Sequence, residues 1–288
     1  GGPARMIAAR WRQIMDFLTW GRNPWGQRIL MHISWDLAWA ALFAGLMFLV
    51  AHASYMILSA HRKSHAGEVD ALEAANKDLP AMISRHSFMA RMFHWVMAAS
   101  MFVLLFSAFL PMIGVRFAWV EWHWIAGLVL TGAIIYHIIH ATFFMDFWSI
   151  WIGPKDIPEF RAEMAREMGQ DVPGPKSGKY PLGNRLYHLA IVVVGMSAAI
   201  SGMIMMARIP QPLFTRNPYI MGDTTWGFTY VLHGACGVAL IGLIIAHIYF
   251  AIRPEKWWIT KAMIFGFITR RQYLEHHDSR RWNVRGKA

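Results

Sequence analysis

Apolar residues in this 288-residue chain gather into five long stretches almost free of charge, at about 30–59, 93–113, 122–145, 187–207 and 230–252. Each has about the 20 residues that a helix needs to cross roughly 30 Å of hydrocarbon. None alternates apolar with polar positions as a barrel strand does. A segment surrounded by lipid must satisfy its own backbone hydrogen bonds, so each is predicted as a membrane-crossing helix. The pattern therefore predicts an all-α integral membrane protein, a bundle of five transmembrane helices. Its divisions are a membrane-surface segment at 1–28, a first helix within 29–60, a linker at 61–91, a four-helix core at 92–252 and a tail at 253–288. Arg5, Arg10, Trp11, Arg12, Phe17 and Trp20 are spaced for an amphipathic helix lying in the membrane interface. The first span is too long for a signal peptide and is flanked by no small-residue cleavage site.

Composition agrees: 56% of residues are hydrophobic and 16% charged, against about 25% charged in soluble domains. A net charge of +11 raises the question of nucleic acid, and the positions of the charges answer it. Lys and Arg number 5 in 61–91, 6 in 146–185 and 9 after residue 252; the alternate segments hold 5 in 1–28, 1 in 113–121 and 2 in 208–228. The basic residues thus crowd one side of a membrane, and no nucleic-acid partner is expected. The positive-inside rule puts 61–91, 146–185 and the C-terminus in the cytoplasm and the N-terminus outside. Trp119, Trp122 and Trp124 at one helix start, and Trp257 and Trp258 after the last helix, read as interface anchors. The single Cys236 excludes a disulfide framework and a cysteine-ligated iron–sulfur cluster, so any such cluster belongs to a partner.

Histidine inside a membrane helix is costly and marks function unless a neighbouring carbonyl satisfies it. His123 and His137 are 14 residues apart on the third span, and so are His233 and His247 on the fifth. Fourteen residues fall about 40° short of four full turns and rise about 21 Å, so both members of each pair face the same way at two depths. Two such helices can hold two six-coordinate haems, one above the other, between neutral imidazoles. Gly127 and Gly237 follow a histidine by four and Gly132 and Gly242 by nine, so His-x3-Gly-x4-Gly-x4-His occurs twice. Close helix packing alone explains lone glycines; glycines in register with histidines fit a flat macrocycle between helices. The repeat reaches the preceding helices, where Arg91-Met92-Phe93-His94 matches Arg185-Leu186-Tyr187-His188. At the outer depth only His123 and His233 are available, and they pair. At the inner depth His247 has three possible partners, His94, His137 and His188, and periodicity favours His137. His32, Asp36 and His52 on the first span read as interfacial, and His61, His65, His86, His276 and His277 as loop residues, solvated or touching a partner.

These residues resemble the cytochrome b (gamma) subunit of membrane-bound formate dehydrogenases and the related thiosulfate reductase cytochrome b subunit. The likeness covers about residues 88–284. It rests on Arg91-x2-His94-Trp95, His123-x3-Gly127, Lys179-Tyr180-x2-Gly183 and Leu232-His233-x3-Gly237-x9-His247-Ile248-Tyr249, then Arg270-Arg271, His276-His277 and Arg281-Trp282. The resemblance implies a four-helix di-haem core with one extra N-terminal helix, binding two haem b groups. It implies the outer haem on His123 and His233 and the inner on His94 and His247, which leaves His137 as the alternative ligand. It implies a quinone site, for menaquinone or ubiquinone, beside the inner haem at Gly183, Asn184 and His188; Pro181 stands where the family commonly has Asn. Implied partners are an iron–sulfur subunit and a molybdenum or tungsten catalytic subunit that carries the substrate site, in a heterotrimer that can assemble further. The implied place is the bacterial cytoplasmic (inner) membrane. The competing functions are a cytochrome b subunit of a thiosulfate or polysulfide reductase, a hydrogenase or another molybdenum oxidoreductase, then a transition-metal transporter and, last, a haem-free scaffold.

Overall fold

The computed structural model describes residues 17–58, 66–168, 170, 172 and 176–284. Arg5, Arg10, Trp11 and Arg12 of the expected interfacial helix lie outside them, as do His61 and His65. Among the described residues five helices are long and apolar enough to cross a membrane: α1 (Asp36–Leu58), α3 (Phe88–Phe109, continued by a 3-10 turn to Ile113), α4 (Trp119–Phe144), α6 (Leu182–Met205, continued by a 3-10 turn to Arg208) and α7 (Asp223–Ile252). No more than 17% of their apolar windows is buried within the chain. Side chains such as Met47, Phe106 and Phe228 lie more than half exposed, as expected where lipid rather than protein is the neighbour.

The chain divides into two compact units, and each long helix contributes a stretch to both. The first unit comprises Gly1–Leu46, Phe102–Leu128 and Val193–Ile244. It begins with an antiparallel hairpin, β1 (Leu18–Arg22) and β2 (Arg28–Ile33), which pairs Leu18 with Ile33 and Arg22 with Arg28. This corrects two expectations: Trp20 lies on a strand, not on an amphipathic helix, and α1 starts at Asp36 rather than near residue 30. The hairpin has a local cause. Asn23 Oδ1 accepts from the backbone N–H of Trp25 (3.2 Å) and Gln27 (2.9 Å), a turn that asparagine closes with its own side chain, and Gly26 takes φ +81°. Asn23 Nδ2 also donates to Asp223 (3.2 Å) at the start of α7. A Cβ on Gly227 would stand 2.4 Å from Leu30 O, and one on Gly234 2.9 Å from Ile33 Cγ1, so these glycines let β2 lie directly on α7.

The second unit comprises Met47–Met101, Val129–Val192 and Ile245–Ala288. In it residues 66–91 and 253–284 build a small domain together. β3 (Met82–Ser84) pairs antiparallel with β4 (Phe267–Thr269). Leu79, Ile83, Ala262, Ile268, Tyr273 and Trp282 form its buried core, closed by α2 (Ala66–Ala75), α8 (Trp257–Phe265) and α9 (Arg270–His276). Thr269 caps α9 by accepting from Gln272 N (3.2 Å), and Gln272 Oε1 accepts from Thr269 N (2.9 Å), the reciprocal box that satisfies two orphan donors. Gly266, at φ +95°, leaves no room for a Cβ, which would meet His86 O at 2.9 Å.

Two of the loop histidines are buried. His86 and His277 are 9% and 3% exposed, and the ring of His276 stacks on Trp258 with centroids 4.6 Å apart. Burial, and then the charge of Arg85, pushes both His86 and His277 down to about 3, so both are neutral. His277 donates from Nδ1 to Gly178 O (2.7 Å) and accepts at Nε2 from Arg85 (2.8 Å). The loop after α4 is likewise built around charge. α5 (Ile157–Glu167) follows Asp156, whose two carboxylate oxygens accept from Arg185 Nη1 (2.9 Å) and Nη2 (2.7 Å). Those bonds hold the Asp156 carboxyl below its ordinary range. His52 Nδ1 lies 2.7 Å from the Tyr249 hydroxyl of α7.

Candidate functional site

Within the first unit, His123 of α4 and His233 of α7 face each other with ring centroids 6.0 Å apart and planes at 75°. Two imidazoles bound to opposite faces of one metal ion through bonds of about 2 Å have centres about 6 Å apart, so the spacing fits a bis-histidine haem. The outer nitrogens are oriented as such a ligand set requires. Ser107 Oγ lies 2.9 Å from His123 Nδ1, and its own proton goes to Val103 O (2.7 Å). Ser201 Oγ lies 3.1 Å from His233 Nδ1, and its proton goes to Ser197 O (2.6 Å). His233 Nδ1 also donates to Ala198 O (3.1 Å). A serine hydroxyl has one proton; once it is spent on a carbonyl, the oxygen can only accept. Both rings therefore carry their proton on Nδ1, which leaves the Nε2 lone pair free, and hydrogen bonds of this kind raise ligand basicity.

The serines were not found from the sequence, although a signal was present. Ser107 follows His94 by 13 residues and Ser201 follows His188 by 13, so the repeat runs further than its arginines and histidines show. Gly202 was also missed: a Cβ there would lie 3.1 Å from His233 Cε1, so α6 needs a glycine to approach that ring. Gly127 and Gly237 behave differently. A Cβ on Gly237 would meet nothing within 4 Å, and one on Gly127 only Leu104 at 3.9 Å. Glycines that serve helix packing look like Gly227 and Gly234; these two leave room beside a histidine. Gly132 and Gly242 also face open space.

The second unit holds two further histidine pairs. His94 of α3 and His247 of α7 have centroids 6.2 Å apart, with Tyr187 stacked on His247 at 4.7 Å. His137 of α4 and His188 of α6 have centroids 6.4 Å apart, with Phe93 stacked on His137 at 4.1 Å. The internal repeat relates the two pairs: it carries His94 onto His188, Phe93 onto Tyr187, and His137 onto His247. Of the three candidate partners, the structure sets His94 against His247 and gives His137 to His188. Gly183, Asn184 and His188, the three residues expected at the quinone site, all lie on α6. Gly183 N donates to Glu163 of α5 (3.3 Å), Asn184 is exposed, and His188 lies against Trp151 at 5.9 Å. His188 Nδ1 and Trp151 Nε1 are buried without a hydrogen-bond partner.

Alanine at Ser201 is expected to leave the haem in place and to move its midpoint potential by about 20–65 mV. That is the one-electron equivalent of a net hydrogen bond of ~0.5–1.5 kcal/mol, and a redox titration followed at the haem absorption bands reads it. An unchanged potential in both Ser107→Ala and Ser201→Ala would remove the orienting role given to the serines.

Residues 85–266 match the family model described as prokaryotic cytochrome b561. The chain is 27% identical over 211 residues to the cytochrome b556(fdo) subunit of formate dehydrogenase from Escherichia coli (strain K12), covering 69% of this chain and 91% of that one. It is 24% identical over 215 residues to the cytochrome b556(Fdn) subunit of nitrate-inducible formate dehydrogenase from the same strain, covering 70% and 90%. The corresponding Shigella flexneri subunit matches to the same extent.

Proposed function

This chain belongs to the prokaryotic cytochrome b561 family, and from that premise we propose that it is the di-haem b anchor and electron-transfer subunit of a formate dehydrogenase. It is a multi-pass membrane cytochrome b, a reading that leaves no place for metal transport or a haem-free scaffold. The observation that carries the proposal is the pair of facing histidine sets, 6.0 Å and 6.2 Å between ring centres, in a chain similar to formate dehydrogenase cytochrome subunits along nine-tenths of their length. His123 and His233 would hold the outer haem, beside Gly127 and Gly237, and His94 and His247 the inner. When bound, each haem supplies a one-electron iron couple.

The chain's own residues do the remaining work. Ser107 and Ser201 hold the outer imidazoles in the neutral tautomer that can ligate iron. The quinone site is placed at Gly183, Asn184 and His188, where a quinone gains two electrons and two protons to become quinol. His188, with its buried unpartnered Nδ1, is the residue suited to hold one of those protons at a quinone oxygen. With the basic segments and C-terminus in the cytoplasm of a bacterial inner membrane, those protons come from the cytoplasm. Each electron that crosses inward then works against about 2.3 kcal/mol per 100 mV. Electrons would arrive from an iron–sulfur subunit bound to the molybdenum or tungsten subunit where formate is oxidised.

A pyridine haemochrome spectrum with a protein assay on the purified chain tests this. Two b haems per polypeptide are expected; one or none would remove the di-haem scheme.

A further inference from the structure

We propose that a cavity of about 480 Å³ in the second unit, with Arg85 in its wall, binds the phosphate of an anionic phospholipid. Arg85 is 2% exposed. Its guanidinium lies over Trp258 (5.3 Å) and Trp282 (5.6 Å). Its Nη1 donates to the neutral ring of His277 (2.8 Å), and its Nε and Nη2 are buried without a hydrogen-bond partner. Among the described residues no carboxylate pairs with it, whereas Arg185 and Arg281, on the same wall, are held by Asp156 and Glu159. A buried cation with no carboxylate against it is costly, and burial lowers Arg85 only to about 10, so it stays charged. Nε and Nη2 are adjacent donors on one edge of the guanidinium, and a phosphate accepts from both at once.

Among the described residues Asp146 is the one carboxylate on the wall that no arginine of the wall is seen to hold, and the other groups fit a headgroup carried by acyl chains. Lys179 adds a second cation, and Tyr180, pushed up by burial, stays a protonated phenol. At the rim, Phe144 at the end of membrane-crossing α4 and Trp148 just beyond it are 76% and 77% exposed, an apolar edge at the border of the lipid. A basic pocket beside transmembrane helices at the cytoplasmic face is where anionic headgroups bind. A neutral quinone would leave the charge of Arg85 unanswered.

The full chain, purified in mild detergent as wild type, Arg85→Gln and Lys179→Gln, is washed and its retained lipids are quantified by phosphorus assay and mass spectrometry. Melting temperatures are measured with phosphatidylglycerol in mixed detergent micelles, with phosphatidylcholine in the same micelles, and with inorganic phosphate alone. Size exclusion and tryptophan fluorescence report the fold. The expected result is about one anionic phospholipid per wild-type chain, with affinity at least about tenfold weaker in Arg85→Gln, the order expected when a buried charge-assisted bond is lost. Stabilisation is expected from phosphatidylglycerol and not from phosphatidylcholine. Should Arg85→Gln fail to fold, weaker retention by a folded Lys179→Gln carries the same conclusion. Stabilisation by inorganic phosphate alone, absent in the variants, would keep the phosphate site and overturn its lipid source. Equal retention by folded variants and wild type, no preference for anionic lipid, or recovery of a quinone that the variants lose would overturn the proposal.

Discussion

His233→Ala is expected to cut the haem content from two per chain to one and to slow electron delivery to quinone by more than about a hundredfold. Losing a residue that is only hydrogen-bonded to a metal ligand typically costs 10–100-fold; losing the ligand itself costs more, because the bond to the metal goes with it. His123→Ala should behave alike, since the two rings face each other at 6.0 Å. Haem per protein and the reduced-minus-oxidised spectrum are the measurements. A His233→Ala chain that kept two haems would take the outer site away from this pair. The substitution leaves the inner histidines on other turns of their helices, so one b haem with an undisturbed spectrum is expected to remain.

The second large effect separates two sets of residues that the repeat makes equivalent. His94→Ala is expected to remove one haem, whereas His137→Ala is expected to leave both. The geometry gives each of the four histidines a partner: His94 with His247 at 6.2 Å, and His137 with His188 at 6.4 Å. If His94 ligates, His137→Ala alters the surroundings of His188 and the activity with quinone more than the haem count. The reverse outcome, two haems in His94→Ala and one in His137→Ala, would assign the inner haem to His137 and His188 and move the quinone site toward His94. Measuring haem content and quinone-dependent turnover on both variants distinguishes the cases, because a merely destabilised bundle would lose both haems together.

The membrane-crossing helices were legible because lipid imposes a length and a composition. Their ends were less so. The last span reads as 230–252 by hydropathy, yet α7 begins at Asp223, since Asp223, Thr224 and Thr225 are polar enough to fall outside an apolar window while still helical. The first span was read six residues too early. Ile29, Leu30 and Met31 have the same apolarity as a helix start, and only pairing with Leu18–Arg22 makes them a strand. The small domain of β3, β4, α8 and α9 was not visible at all. Strands of three residues carry no period, and their partners lie almost 190 residues apart in the chain.

The sequence by itself determined that the chain carries five stretches long and apolar enough to cross a membrane, and histidines 14 residues apart on two of them with glycines in register. Hydropathy and helical period are properties of single helices, and both survive any way of packing them. It also held an internal repeat, and a repeat is symmetric: it makes His94–His247 and His137–His188 equivalent, so periodicity cannot choose how four histidines pair. Only the tertiary structure decided that His94 faces His247. Only it spent the protons of Ser107 and Ser201 on carbonyls so that His123 and His233 turn Nε2 outward, and only it left Nε and Nη2 of Arg85 buried without a hydrogen-bond partner among the described residues. Pairing, tautomer and desolvation depend on which residues from distant parts of the chain share a few ångströms, and that is settled by packing.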